Sequence, residues 1–245
     1  MRIEYLGHAT VLAELDGTRL LTDPILRRRV AHLRRKAPAV PPELGRIDAV
    51  LVSHAHYDHL DLPSLDRLDH STTIVVPRGL GATVRRRRFD NVVELVEGEE
   101  IAVGALTVRA THADHDGNRP PFVRNASALG FALLGSRSVY FAGDTDVFPE
   151  MDGLVPDLDL ALIPVWGWGG SLGPGHMNPQ RAADALALLR PRIAIPIHWG
   201  TFVPLHRSKR ARFLRLPVEE FVRAARNKAP DVDVHVLNPG EEFGE

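Results

Sequence analysis

The sequence predicts an α/β (α+β) fold of layered sheets and few helices. Three observations carry this. Short strand-like runs recur from one end of the 245-residue chain to the other. Only three stretches have the period and punctuation of a helix. No low-complexity linker or shift in composition divides the chain, so a single domain over 1–245 is expected.

The elements follow in order. "RIEYL" (2–6), "TVLAEL" (10–15) and "RLLT" (19–22) read as strands, with a hairpin whose tip is Asp16-Gly17. Further strands are expected at 48–53, 72–77, 92–96 and 106–110, then at 128–134, 138–142, 160–165, 193–197 and 232–237. A short helix is expected from about Pro63, with Asp61 or Leu62 near its cap. In "NPQRAADALALLRP", Asn178 suits the N-cap, Pro179 the first helical position, and Pro191 marks the end. "LPVEEFVRAARNK" (216–228) places Val218, Phe221, Val222 and Ala225 on one helical face. The basic, proline-rich segment 26–46 has no clean period and is expected to be an exposed loop. "RRRRF" (85–89) is expected to be a solvated face.

Composition bounds the function. Hydrophobic content of 44% and charged content of 25% fit a soluble globular protein, expected in the cytoplasm. A net charge of −1 gives no global basic field, so no nucleic-acid partner is expected. With no cysteine there is no disulfide, thiolate ligand or cysteine nucleophile, which leaves His, Asp and Glu as metal ligands. No apolar run approaches the roughly 20 residues of a membrane span. The opening "MRIEYL" lacks the pattern of a signal peptide.

"VLVSHAHYDHLD" (50–61) concentrates three histidines and two aspartates behind an apolar run. If the chain stays extended there, His54 and His56 point the same way and can share an ion. Asp58 and His59 project differently, so a second ion beside the first is the economical reading. A helix cap with incidental histidines is the bland alternative, and four ligand types in six positions argue against it. Other candidates also stand just past apolar strands: Asp144 in "SVYFAGDTD", His198 in "IAIPIHWGT", and His112, Asp114 and His115 in "LTVRATHADHDG".

These residues carry a family resemblance. "HAHYDH" fits His-x-His-x-Asp-His of the metallo-β-lactamase superfamily. "YLGHATVLAELDG", "LLTDPIL", "YFAGDTD", "LALIPV", "GHMNPQRAADAL" and "IPIHWGTF" resemble the branch with N-acyl-phosphatidylethanolamine phospholipase D and the ascorbate-6-phosphate lactonase-like hydrolases, over roughly residues 3 to 217. The resemblance implies a four-layer αβ/βα sandwich with a dinuclear site at one edge of two facing sheets. It implies that His54, His56 and a third-motif histidine hold one ion, that Asp58, His59 and His198 hold the other, and that Asp144 bridges. His115 is the expected third-motif ligand and His112 its alternative, because a histidine stands where the family has proline. The resemblance also implies that Asp23 supports the histidine loop, that His8 lies near the site, and that His176 faces the substrate as a polarising or proton-donating group. Trp166 and Trp168, on a loop with five glycines between Gly167 and Gly175, are expected to form a lid. Asp23, Asp114 and Asp146 are candidate acceptors for the ligands' second ring nitrogens.

The expected activity is hydrolysis by a hydroxide shared between two divalent ions, zinc first and manganese or iron next, with Asp58 and His176 as catalytic groups. A small-molecule or lipid-like substrate is expected, a phosphodiester or a lactone or other ester. A nuclease of the same superfamily, a redox di-iron protein and a non-catalytic metal-binding module are the competing readings. No nucleophile-elbow pattern supports a serine hydrolase.

Overall fold

The computed structural model describes residues 1–119, 126–166, 173–205 and 211–245. Its strands are β1 (Arg2–Gly7), β2 (Thr10–Leu15), β3 (Thr18–Thr22), β4 (Arg29–Val30), β5 (Leu33–Arg35) and β6 (Ala49–Leu51). After α1 (Leu62–Leu65) come β7 (Thr73–Pro77), α2 (Gly81–Arg85), β8 (Val92–Leu95), β9 (Glu100–Val103) and β10 (Leu106–Thr111). Then follow β11 (Gly130–Leu134), β12 (Ser138–Phe141), β13 (Leu160–Pro164), α3 (Pro179–Leu189), β14 (Ile193–Ile197) and β15 (Phe202–Pro204). Helix α4 (Leu216–Lys228), β16 (Asp233–Val234) and β17 (Glu241–Gly244) close the chain.

Two seven-stranded sheets result, ordered β17-β1-β2-β3-β6-β7-β8 and β16-β14-β13-β12-β11-β10-β9. Alternation along each strand decides what lies on each face. In β6, Ala49 and Leu51 join Ile3, Tyr5, Val108 and Phe131 in a core between the sheets. Val50, one step out of phase, packs instead with Leu21, Ile74 and Val76 against Leu65 of α1 and Val84 of α2. Strands β13 and β14 are buried at every position, as parallel strands covered on both faces are. Ala182, Ala183 and Leu186 of α3 and Phe221 and Ala225 of α4 share their core. Helices outside each sheet give the four-layer α/β (α+β) sandwich that the resemblance implies.

Helix α3 starts as expected: the Asn178 side chain accepts from the Gln180 and Arg181 amides at 3.0 Å each. Helix α1 does start after Asp61, yet that carboxylate makes no cap. It takes both arms of Arg27 at 2.7 Å instead.

Two expectations need correction. Only Asp233–Val234 of the run 232–237 pairs as a strand, at the outer edge of its sheet; the His235 amide still donates to Ala194 O at 2.9 Å, and beyond it Val236 is exposed instead of packed. Segment 26–46 is not an exposed loop throughout. Strands β4 and β5 form a small sheet with β15, and Ile25, Val30, Leu33 and Phe202 make its core. Arg35 is only 6% exposed; it donates to the carbonyls of Pro38 and Leu6 and lies over the Phe202 ring. Burial pushes its guanidinium down to about 10, with Tyr5 opposing. Among the described residues no helix is long and apolar enough to cross a membrane.

Strands β3, β6, β7 and β8 run parallel, as do β12, β13, β14 and β16. Their carboxyl ends are where ligands gather in open α/β sheets. Asp23, His54, Asp144, Trp166 and His198 all stand just beyond such ends, and His8 and His115 follow β1 and β10.

Candidate metal centre

Asp23 is the base of the site. Its carboxylate is fully buried and accepts from the Ser53 amide at 2.7 Å, the Ser53 hydroxyl at 2.6 Å and His59 Nδ1 at 2.7 Å. These bonds fix the turn that leaves β6. On the facing sheet Gly143 (φ +62°) admits close approach: a Cβ there would stand 2.7 Å from Ser53 Cβ. Asp144 is thereby brought over the histidines.

One group comprises His54, His56 and His115, whose ring nitrogens lie within 4.8 Å of one another. His54 Nε2 is 2.9 Å from His56 Nδ1, and His115 Nε2 is 3.3 Å from the same atom. The hydroxyl of Ser53 is already donating to Asp23, so it accepts from His54 Nδ1 at 2.9 Å. A carbonyl can only accept, so His115 Nδ1 donates to Gly175 O at 2.8 Å. Both bonds leave the Nε2 lone pairs of His54 and His115 aimed at the shared point. Gly175 (φ +77°) allows this: a Cβ would meet His115 Cα at 3.1 Å.

A second group comprises His8, Asp58, His59 and His198, and Asp144 lies beside it. Asp144 Oδ2 is 3.2 Å from His59 Nε2, and Oδ1 is 3.3 Å from His198 Nε2. Asp58 Oδ2 is 3.2 Å from His8 Nε2, 3.9 Å from His59 Nε2 and 4.0 Å from His198 Nε2. His198 Nδ1 donates to the Trp166 carbonyl, which directs Nε2 inward. Both His8 (φ 60°) and His198 (φ 63°) are left-handed, and their rings lie 3.8 Å apart.

The electrostatics favour a cation. Burial, then neighbouring histidines, hold His54 well below the usual imidazole range. Burial likewise lowers His56, His115 and His198, and pushes His8 down to about 3. Neutral imidazoles are the form that ligates metal. Burial raises Asp58 and Asp144, but adjacent histidines overcome it and hold both well below the carboxylate range. Burial lowers His59, yet Asp144, Asp23 and Asp58 hold it well above its usual range, so the pocket stabilises positive charge at that point. Converging neutral nitrogens beside ionised carboxylates are a donor set that suits a divalent ion.

His112 stands apart from this cluster, with Nδ1 3.0 Å from Glu97 and its ring against Phe148. His115 occupies the position facing His54 and His56. His176 lies at the rim, its ring 4.6 Å from His115 and its Nε2 3.7 Å from Asp144 Oδ2. Asp114 and Asp146 do not serve the ligand rings: their backbones bridge each other, and Asp146 pairs with Arg181. The Trp166 carbonyl and ring are described, the ring 5.4 Å from Phe213. Trp168 and the rest of the expected lid from 167 to 172 lie outside the described residues.

Residues 18–199 match the family described as a β-lactamase superfamily domain. A UPF0173 metal-dependent hydrolase of Rubrobacter xylanophilus is 34% identical over 259 aligned residues, covering 99% of this chain and 96% of that protein. The chain belongs to the metallo-β-lactamase superfamily. An N-acyl-phosphatidylethanolamine-hydrolyzing phospholipase D of Caenorhabditis elegans is 33% identical across 81% of this chain and 63% of its own length. A metallo hydrolase from the archaeon Ignicoccus hospitalis shares the fold, with a TM-score of 0.75 at 23% identity over 100% of this chain and 98% of that one. As a metal-dependent hydrolase of the metallo-β-lactamase superfamily, the chain has clustered His and Asp side chains able to bind metal. Two of the groups that orient them, the carbonyls of Trp166 and Gly175, are main-chain atoms for which no sequence signal exists. A third, the Ser53 hydroxyl, stood next to the motif as "VLVS".

Proposed function

We propose that the chain is a dinuclear metal-dependent hydrolase acting on a phosphodiester or on a lactone or other ester of a small or lipid-like molecule. The observation that carries this reading is the pair of adjacent donor groups joined by Asp144. His54, His56 and His115 would hold one ion. Asp58, His59 and His198 would hold the other, and Asp144, within reach of both His54 and His59, would serve both. The nitrogen and carboxylate donors suit zinc first and manganese next.

When bound, such ions supply Lewis acidity toward a substrate oxygen and lower the pKa of water toward neutrality. The chain's own residues do the rest. Asp58, ionised through the neutral range, orients the attacking water. His176 has Nδ1 3.2 Å from the Pro174 carbonyl, to which it donates, so Nε2 is the atom that meets the substrate and, when protonated, gives a proton to the leaving oxygen. The similarity to the C. elegans phospholipase supports the phosphodiester arm.

Two measurements test the reading. Metal analysis of purified protein is expected to find two divalent ions per chain, and fewer than one refutes the dinuclear site. Turnover of bis(p-nitrophenyl) phosphate without lactone turnover assigns a phosphodiesterase, and the reverse a lactonase. Neither activity in fully loaded protein overturns both substrate classes.

A further inference from the structure

We infer that Arg119 is a positioning residue for this centre, clamping the 54–60 turn to the segment that carries His115; the inference rests on the metal reading above. The turn closes on itself through the His59 and Leu60 amides, which donate to His56 O at 3.0 and 2.8 Å. Arg119 grips it from outside. Its Nη1 donates to Ala55 O at 3.3 Å and to Leu60 O at 3.2 Å. The guanidinium carbon sits 3.4 Å from the centroid of the Tyr57 ring, a cation–π contact. Nearby, the Ala55 amide donates to Gly117 O at 3.4 Å.

Arg119 therefore touches positions 55, 57 and 60, which interleave with and flank His54, His56, Asp58 and His59. It leaves the same segment as His115, four residues on. One side chain thus ties the loop that supplies four donors to the loop that supplies a fifth. Among the described residues no carboxylate pairs with Arg119, and its Nε is buried without a hydrogen-bond partner. The guanidinium is committed to the turn at a desolvation cost, not to an ion pair of its own. A planar fork that stacks and donates together is a task for arginine, which lysine performs only in part.

The test uses the full chain as wild type, Arg119→Met, Arg119→Lys, Tyr57→Phe and Tyr57→Leu. Three readouts are compared: the Tm of metal-free protein, zinc affinity by competition with a chromophoric chelator, and the absorption spectrum with cobalt(II). Arg119→Met is expected to lose about 10- to 100-fold in affinity, the usual effect of removing a group that orients ligands, and to shift the cobalt bands. Arg119→Lys should recover part of that loss. Tyr57→Phe keeps the ring face and should match wild type, whereas Tyr57→Leu should weaken binding. Because Tyr57 is 42% exposed, this pair carries the test if Arg119→Met fails to fold. Wild-type affinity and spectrum in both Arg119→Met and Tyr57→Leu overturn the inference, as does a fall in metal-free Tm with affinity unchanged. A wild-type chain that takes up neither zinc nor cobalt overturns the metal reading, and the inference with it.

Discussion

His198 is aimed by main-chain groups: its amide donates to His8 O at 2.7 Å and its Nδ1 to Trp166 O. His54 is aimed by a hydroxyl, His59 by a carboxylate, His115 by a carbonyl. The rings of His54, His115 and His198, lowered below the imidazole range, therefore present a defined tautomer before any ion arrives, whereas His59 is held protonated by its carboxylate neighbours and must give up that proton to bind an ion. Removing a ring should cost chemistry more than fold. His54→Ala is expected to abolish metal-dependent turnover while circular dichroism and the fold are retained; turnover in that variant would refute the proposed mechanism. Asp23→Ala should do the opposite kind of damage. It strands the Ser53 amide, the Ser53 hydroxyl and His59 Nδ1 in a fully buried setting, at about 1–3 kcal/mol for each unsatisfied group. Urea denaturation of the metal-free variant should show a large fall in midpoint.

Secondary elements show where local signals suffice. Helix α3 has its cap, its first-turn proline and its buried alanine face all written locally, so it was legible, and Asn178→Ala should cost about 1 kcal/mol in urea unfolding. Strands β4, β5 and β15 are two or three residues long and mostly basic or proline-containing, with no period to read. They exist because Phe202 and Arg35 bring distant segments together, which is tertiary information. At the start of β12, Asp159 accepts from the Ser138 amide at 2.9 Å and from Arg137 at 2.8 Å. Burial raises its pKa, but these bonds win and hold it below the usual carboxylate value. The folded value being the lower one, this stabilisation is complete above the unfolded pKa of about 3.9 and is lost as pH falls through the folded value. Asp159→Asn should therefore flatten the acid limb of a stability-against-pH profile and leave its slope above pH 5 unchanged.

For the molecule as a whole, ion uptake and folding should be linked. Ions that bind only the folded chain raise its stability by about 2.7 kcal/mol at one hundred times Kd. Differential scanning calorimetry should show Tm rising with zinc and falling back with chelator. A Tm indifferent to both would contradict the proposed centre. The fold class was legible because the alternation of β10 and the continuous apolar runs of β13 and β14 are sequence properties, whereas the four-layer arrangement came from the family resemblance. The convergence of His115, Asp144 and His198 on the histidine motif needed family resemblance, since separations of dozens of residues say nothing about distance. What sequence could not show is how the donors are divided. His8, His54, His56, Asp58 and His59 leave strands of the first sheet, while His115, Asp144 and His198 leave strands of the second. Each proposed ion would thus draw on both halves of the sandwich, like a rivet through two plates. Mutations deep in the shared core, remote from every ligand, would then register at the centre by sliding one plate against the other, and metal affinity becomes a gauge of how truly the halves are aligned.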